Sequence, residues 1–414
     1  MKKGYYIVII FLCAACAASA RTITVGKHKQ YAGIQEAINT SSAGDTVLVE
    51  EGLYHEKTIT INKSIVLTGD QYPVLDGEYK YEIISIKASY VTVIGFKLIH
   101  SGISSMEDLA GIKIYNTSNV VISDNILLDT FFGIYVQAGN NCTIENNQLK
   151  ASSQTEQRSG NGIHCWKSDS LRIIGNHIYG HRDGIYFEFV THSVIWRNLS
   201  EHNIRYGLHF MFSNDDAYIS NILRNNGAGV SVMFTHGVKM FNNFFEDNWG
   251  DGAFGLLMKE ISDSYVIGNQ FTNNTSAIFM EGASRIQVEK NEFRNNGWAM
   301  KIQASCMDNV IKQNNFLSNT FDVGTNGSLV LNKFDYNYWD KYEGYDLDKD
   351  NTGDIPFHPV SLFSVIVEKN PPAMMLFRSF MVSLLDKTER ILPSLTPENL
   401  KDNYPYMKPF KLWL

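Results

Sequence analysis

Three methionines, Met211, Met233 and Met258, each take the fourth place of a short apolar segment, and the three segments follow one another along the chain. If those segments are strands on adjacent coils about 4.8 Å apart, outward thioethers can come within the roughly 4 Å that two sulfurs on one metal need, given metal–sulfur bonds of about 2.3 Å. His209 stands two residues before Met211 on the same face, Glu188 and Glu281 continue the column on either side, and His236 begins the turn after Met233. Thioether and imidazole together select copper, above all Cu(I), over calcium or magnesium. The competing reading is an adaptable surface, because exposed methionines also serve as a sticky interface or pack beneath a covering segment such as the C-terminal tail. Among the other histidines, His164 shares the column of His209 but lies two coils away, too far for one ion, and His177, His181 and His192 read as surface or turn residues. Cys165 falls on an inward position and reads as core.

A repeat is what would line these side chains up. Aligned on apolar-x-apolar-x-x-Asn, the chain shows Asn125, Asn147, Asn176, Asn198, Asn221, Asn243, Asn269, Asn291 and Asn314, at steps of 22, 29, 22, 23, 22, 26, 22 and 23 residues. A second register agrees: Gly111, Gly133, Gly162, Gly184, Gly207 and Gly229, then Phe254, Ala277 and Ala299, each open a short strand. Two anchors with one period indicate a solenoid. Side chains alternate between the two faces of a strand. The first and third places after each opener (Ile185 and Phe187, Leu208 and Phe210, Val230 and Val232, Gly255 and Leu257) therefore face inward. The second and fourth (Tyr186 and Glu188, His209 and Met211, Ser231 and Met233, Met258) face out. The fold class is all-β, a right-handed parallel β-helix of about 22-residue coils. The asparagines suit turns, since they tolerate left-handed backbone and their amides can bond along a stack. Regular aliphatic places between them argue against disorder, and the repeats are too short for propeller blades.

The ends differ from the coils. Residues 1–20 carry Lys2 and Lys3, an apolar run and an Ala18-Ser19-Ala20 exit, which predicts a signal peptide and a periplasmic location. Tyr31 to Asn39 has helical apolar spacing and predicts an amphipathic cap on the first coil. The β-helix is expected over 21–340 and a C-terminal extension, irregular or helical, over 341–414. Its Met-rich stretch from Ala373 to Leu385 is too short and polar to span a membrane. Segments near Ser152–Ser159 and Trp249–Ala253 read as loop insertions. The chain has 36 basic and 43 acidic residues, and loss of the leader removes two lysines and leaves a net charge of −9, which excludes nucleic acid as a partner. Cys142, Cys165 and Cys306 remain, an odd number that provides no disulfide framework.

Two other chemistries have weaker residue patterns. Asp346, Asp348, Asp350, Gly353 and Asp354 partly match a calcium loop, but the glycine comes late and Phe357 stands where a bidentate glutamate belongs. Many parallel β-helices act on carbohydrate, a reading that would use outward Trp166 and Glu188. However, the adjacent acidic pair Asp215-Asp216 sits in the turn after Met211 without an accompanying basic cluster, and no base is grouped with calcium or arginine as a lyase or epimerase requires.

Several segments resemble one family closely: Arg182-Asp183-Gly184-Ile185-Tyr186-Phe187-Glu188-Phe189, Arg205-Tyr206-Gly207-Leu208-His209-Phe210-Met211-Phe212-Ser213, Gly227-Ala228-Gly229-Val230 with Met233, Phe245-Glu246-Asp247-Asn248-Trp249-Gly250, and Gly255-Leu256-Leu257. They look like the NosD family of nitrous oxide reductase maturation proteins, from the cap near Tyr31 to Tyr338-Trp339-Asp340. The resemblance implies a periplasmic accessory protein rather than an enzyme. It implies an ABC-type permease and ATPase, a copper chaperone and nitrous oxide reductase as partners, with copper, or sulfur, as the cargo for the reductase's copper centre. It implies also that the protein is peripheral to the membrane through the transporter, with the tail around Met374-Met375-Leu376-Phe377 docking on the permease or, alternatively, folding back over the last coil.

Overall fold

The computed structural model describes residues 20–104, 106–152, 155–156, 159–327, 331–391 and 400–411, so the predicted leader, apart from Ala20, and part of the Ser152–Ser159 insertion lie outside the described residues. The chain winds into three parallel sheets of 14, 12 and 13 strands. One coil illustrates the path: Ile185–Glu188 in the 12-stranded sheet, Val194–Trp196 in the 14-stranded sheet, Leu199–Glu201 in the 13-stranded sheet, and back at Tyr206–Met211. Pairing is in register from coil to coil, with Ile185 against Leu208 and Phe187 against Phe210. Equivalent side chains therefore stack, apolar on apolar, and some inner columns are of one kind. Phe245, Phe271, Phe293, Phe316 and Trp339 form one such inner column, with ring centroids 4.0–5.1 Å apart.

The glycine row is required by close approach. A Cβ at Gly229 would lie 2.4 Å from the carbonyl oxygen of Gly255, and one at Gly184 would lie 2.5 Å from that of Gly207. The glycine expected of the 254 coil is therefore Gly255, not Phe254.

The repeating asparagines are buried and form an amide ladder. Asn198 donates from both its backbone N–H (3.0 Å) and its Nδ2 (3.0 Å) to Asn221 Oδ1, and its Nδ2 also reaches Ile173 O at 2.9 Å. The same arrangement runs from Asn125 to Asn337. The expectation of left-handed asparagines is corrected: the positive φ belongs to the residue before each ladder member, such as Arg197 (55°), Ser220 (53°) and Asn242 (54°). A ladder amide is held on both sides by its neighbours, which leaves the bend to the residue outside. A second ladder, not foreseen, joins Asn203, Asn226, Asn248, Asn274, Asn296 and Asn319 at another corner.

His181 starts this second ladder in the bend between Tyr179 and Ile185 and is wholly buried, so of the two expected places, surface or turn, it takes the turn. Its backbone N–H bonds Asn203 Oδ1 at 3.0 Å, but neither ring nitrogen has a partner. Burial lowers its pKa from 6.5 to about 4. The folded state therefore holds fewer protons than the unfolded chain between those values, and stability falls as pH drops through the window. We expect His181→Asn to raise stability by about 2 kcal/mol at pH 5 and to have a much smaller effect at pH 8, read from urea midpoints at the two pH values.

Both ends are covered. Helix α1 (Ile34–Thr40) buries Ile34, Ala37 and Ile38 over the first coil, as the amphipathic spacing predicts. At the far end, α2 (Leu362–Lys369) and α3 (Phe380–Ile391) pack beside the 12-stranded sheet, and Lys301 pairs with Glu368 at 2.7 Å. Residues 400–411 return onto the last coil, with Phe334 bridging Asp402 and Tyr338 bridging Tyr406. This segment does the covering. Met375, Phe380 and Met381 remain 90, 80 and 64 % exposed.

Candidate functional site

The outward face of the 12-stranded sheet carries two columns. The nearer runs Tyr135, His164, Tyr186, His209, Ser231 and Leu257, and the next runs Gln137, Trp166, Glu188, Met211, Met233, Lys259 and Glu281. Met211 and Met233 are directly paired, which places two thioethers on adjacent coils. The Tyr186 hydroxyl donates to Met211 Sδ at 3.6 Å.

Met258 is not in this column. It pairs with Val232 and is fully buried in the core, while Lys259 pairs with Met233. Opening this coil at Phe254 instead of Gly255 shifts its register by one residue, and in a period-two strand that exchanges every inside and outside position. Gly255 and Leu257 accordingly leave the inner set, and Leu256 and Met258 join it.

The other expected ligands divide. Glu188 pairs with Met211 in register and is half-buried beside it. Glu281 is separated from Met233 by Lys259 and is bound to that ammonium at 3.3 Å. His236 lies beyond the corner formed at Phe234 (φ 55°), exposed, with its backbone N–H on Asn214 Oδ1. His209 is buried behind the methionines between the rings of Tyr186 and Tyr206, each 4.7 Å away.

His209 is tied to a group that alternation does not reveal. Asp183, with no exposed surface, receives Arg205 at 3.1 and 3.2 Å, and Arg205 Nη2 lies 3.2 Å from His209 Nδ1. A guanidinium only donates, so Nδ1 accepts and the proton of the neutral ring sits on Nε2. That nitrogen is buried without a partner, as is Ser231 Oγ, its neighbour in the column. For Nε2 to bind a metal, the proton must pass to Nδ1, where it would face the Arg205 Nη2 donor at 3.2 Å, with Asp183 Oδ2 3.6 Å away, so Arg205 must first turn aside. The expectation that no base is grouped with arginine is thus corrected: carboxylate, guanidinium and imidazole meet here, although the carboxylate is buried and committed to Arg205. His164, one column position from Tyr186, is held neutral by burial and by Arg182, which lower its pKa to about 3.

A signal missed in the sequence borders the methionines. Phe189, Phe212 and Phe234 follow the fourth place of three successive coils, stacked at 5.1 and 5.2 Å and 39–45 % exposed. All three adopt left-handed backbone, where the equivalent residues of nearby coils are Asn116, Ala138, Lys167, Glu260 and Gly282. Their recurrence at 23 and 22 residues was legible. Bulky apolar side chains in an exposed, left-handed corner mark a surface kept for contact.

Asp346, Asp348 and Asp350 bring carboxylate oxygens within 4.8 Å of one another, but these oxygens also accept backbone N–H groups of Lys349, Asn351 and Thr352. The three cysteines are buried and unpaired, and Cys165 is inward as expected. No helix among the described residues is long and apolar enough to cross a membrane.

Residues 150–344 match the family described as periplasmic copper-binding protein (NosD), and residues 27–170 match the right-handed β-helix region. A "probable ABC transporter binding protein NosD" of Stutzerimonas stutzeri is 25% identical over 86% of this chain and 85% of its own length. Its namesake in Pseudomonas aeruginosa is 26% identical over 81% and 82%. Among solved structures, the surface adhesin PfbA of Streptococcus pneumoniae superposes with a TM-score of 0.58 at 14% identity, over 74% of this chain and 92% of that one. The mannuronan C-5 epimerase AlgE6 A-module of Azotobacter vinelandii does so at 0.51 and 17%, over 73% and 88%. At that identity these two likenesses concern the fold alone. The NosD matches extend through the coils that carry Asp183, His209, Met211 and Met233, and over them the chain, a parallel β-helix, is similar to the NosD proteins.

Proposed function

We propose that the protein is a periplasmic accessory factor that receives or delivers copper for the copper centre of nitrous oxide reductase, working with an ABC-type permease and ATPase and a copper chaperone. The observation that carries this reading is the register pair Met211–Met233, two outward thioethers on adjacent coils, backed by His209 and flanked by Glu188. Thioethers hold Cu(I) in preference to harder divalent ions. The exposed phenylalanine corner beside them gives a water-poor surface on which a donor or acceptor protein can exchange a soft ion. The three thiols among the described residues are buried, which favours copper over sulfur as cargo. The exposed Met375, Phe380 and Met381 of the C-terminal extension are apolar enough to dock on a permease. The protein acts here as a carrier, not an enzyme.

Competition with a chromogenic Cu(I) chelator tests the site. Met211→Leu with Met233→Leu is expected to weaken Cu(I) binding at least 100-fold, while Met258→Leu, a core exchange of similar volume, leaves it unchanged. Unchanged affinity in the double variant removes these methionines from the site.

A further inference from the structure

Where the 14-stranded sheet turns into the 13-stranded one, successive coils set Asn242, Gly268, Lys290 and Gln313 in a row, all with left-handed backbone (φ 54°, 72°, 54° and 56°). Gly268 has no side chain, so the row opens there between Asn242 and Lys290. The returning tail, from Tyr406 to Lys411, forms the opposite wall. The cavity between tail and coils measures about 650 Å³, within the roughly 300–1,000 Å³ usual for small-molecule sites.

The tail wall is fixed through its backbone. Tyr406 N–H bonds Asn337 O at 2.9 Å and Met407 N–H bonds Asn351 O at 3.1 Å. Phe410 O accepts the Asn315 amide at 2.8 Å, and Phe410 N–H returns to the same amide at 3.3 Å. The rings of Tyr406 and Phe410 meet edge to face, with centroids 5.9 Å apart and planes at 73°, and make an apolar corner in the lining.

The charges of the lining have one sign. Lys290, Lys408 and Lys411 border the cavity, and among the described residues no carboxylate does. None of the three ammonium groups has an ion pair or a hydrogen bond among these residues. The acids nearest in the chain and in the sheets are bound elsewhere: Glu289 to Lys312 (3.1 Å), Glu292 to Arg294 (2.9 Å) and Asp335 to Lys333 (2.8 Å). Asp346 and Asp350, close to Asn351 in the chain, accept backbone N–H groups of Lys349, Asn351 and Thr352 and take no part in the lining. An ammonium donates three hydrogen bonds and accepts none, so three of them around one cavity call for anionic oxygens.

We propose that this cavity binds a small organic polycarboxylate, held by Lys290 on one wall and by Lys408 and Lys411 on the other, with its body in the corner of Tyr406 and Phe410. Cations on opposite walls select more than one negative charge, and the two rings select an organic body over a bare inorganic anion. The side-chain amides of Asn242 and Gln313 also line the cavity and can bond hydroxyl or carbonyl groups of the same ligand. The site lies on other sheets than the methionine column and does not depend on the copper reading.

Three probes test it, benzene-1,3,5-tricarboxylate, benzoate and inorganic phosphate, titrated separately into the full chain at low salt and followed by calorimetry. Saturable binding of the tricarboxylate is expected, at least tenfold tighter than that of benzoate or phosphate and weakening as salt screens the lysines. Lys290→Gln with Lys408→Gln, which removes two exposed ammonium groups without partners, is expected to weaken it at least tenfold. Phe410→Leu, which keeps the backbone bonds to Asn315, is expected to lose several-fold. Lys97→Gln, on a distant coil, and Met211→Leu with Met233→Leu should both bind the tricarboxylate as the parent chain does. A tricarboxylate bound no more tightly than phosphate or benzoate, affinity unaltered in the double lysine variant or in Phe410→Leu, an equal loss in Lys97→Gln, or no binding of any probe overturns the proposal.

Discussion

Replacing Asp216 with asparagine is expected to raise stability by up to about 4 kcal/mol at pH 7 and by little at pH 4. Asp216 is fully buried, and burial raises its pKa from 3.8 to about 8, with the Ser193 N–H pulling the other way. Its Oδ1 accepts that N–H at 2.8 Å, and its Oδ2 has no partner. Between pH 3.8 and 8 the folded protein keeps a proton that the unfolded chain has released, so stability falls as pH rises and the full cost is present above pH 8. Ser193, Ser264 and Asn309 serve the same corner on nearby coils with neutral groups, which asparagine would imitate. Urea midpoints of the two proteins at pH 4, 6 and 8 check this. A gain that does not grow with pH would place its origin elsewhere than the carboxyl group.

Asp402→Ala is expected to cost about 3–5 kcal/mol and to release the returning tail. This carboxylate, brought by the C-terminal segment, takes the place of the next ladder asparagine. Its Oδ2 accepts Asn337 N (2.9 Å), Asn337 Nδ2 (3.0 Å) and Trp339 Nε1 (3.0 Å), and its Oδ1 accepts Tyr336 N and Tyr404 N, both at 3.1 Å. Alanine leaves all five donors without it in a buried site. Asparagine keeps the oxygen for one group of donors and turns an amide against the other, so Asp402→Asn should fall between alanine and the parent. Hydrogen exchange at Tyr336, Asn337 and residues 400–411 reads the release directly. Exchange as slow in the alanine variant as in the parent would show that the tail is held by its other contacts, such as the reciprocal Asn315–Phe410 pair.

The methionine site shows how local and distant information combine. Met211 and Met233 were legible as outward neighbours because their coils open on Gly207 and Gly229. The inversion at Met258 arose because two adjacent residues, Phe254 and Gly255, could each open that coil. Choosing between them requires the carbonyl oxygen of the neighbouring coil, which only a residue without a Cβ can approach.

What the linear order of residues determined by itself is the coil, its period, its inner and outer faces and the amide ladder, since each follows from alternation and from a side chain meeting its equivalent one turn later. The tertiary structure decided which groups from different corners converge: Asp183 and Arg205 on His209, Asp402 on the last asparagine, and Lys290 with the returning tail around a cavity. The physical reason is range. Alternation and stacking repeat at every coil and are written into the repeat, whereas these meetings depend on loops and a tail that occur once, and their partners are set by where the whole chain brings the backbone.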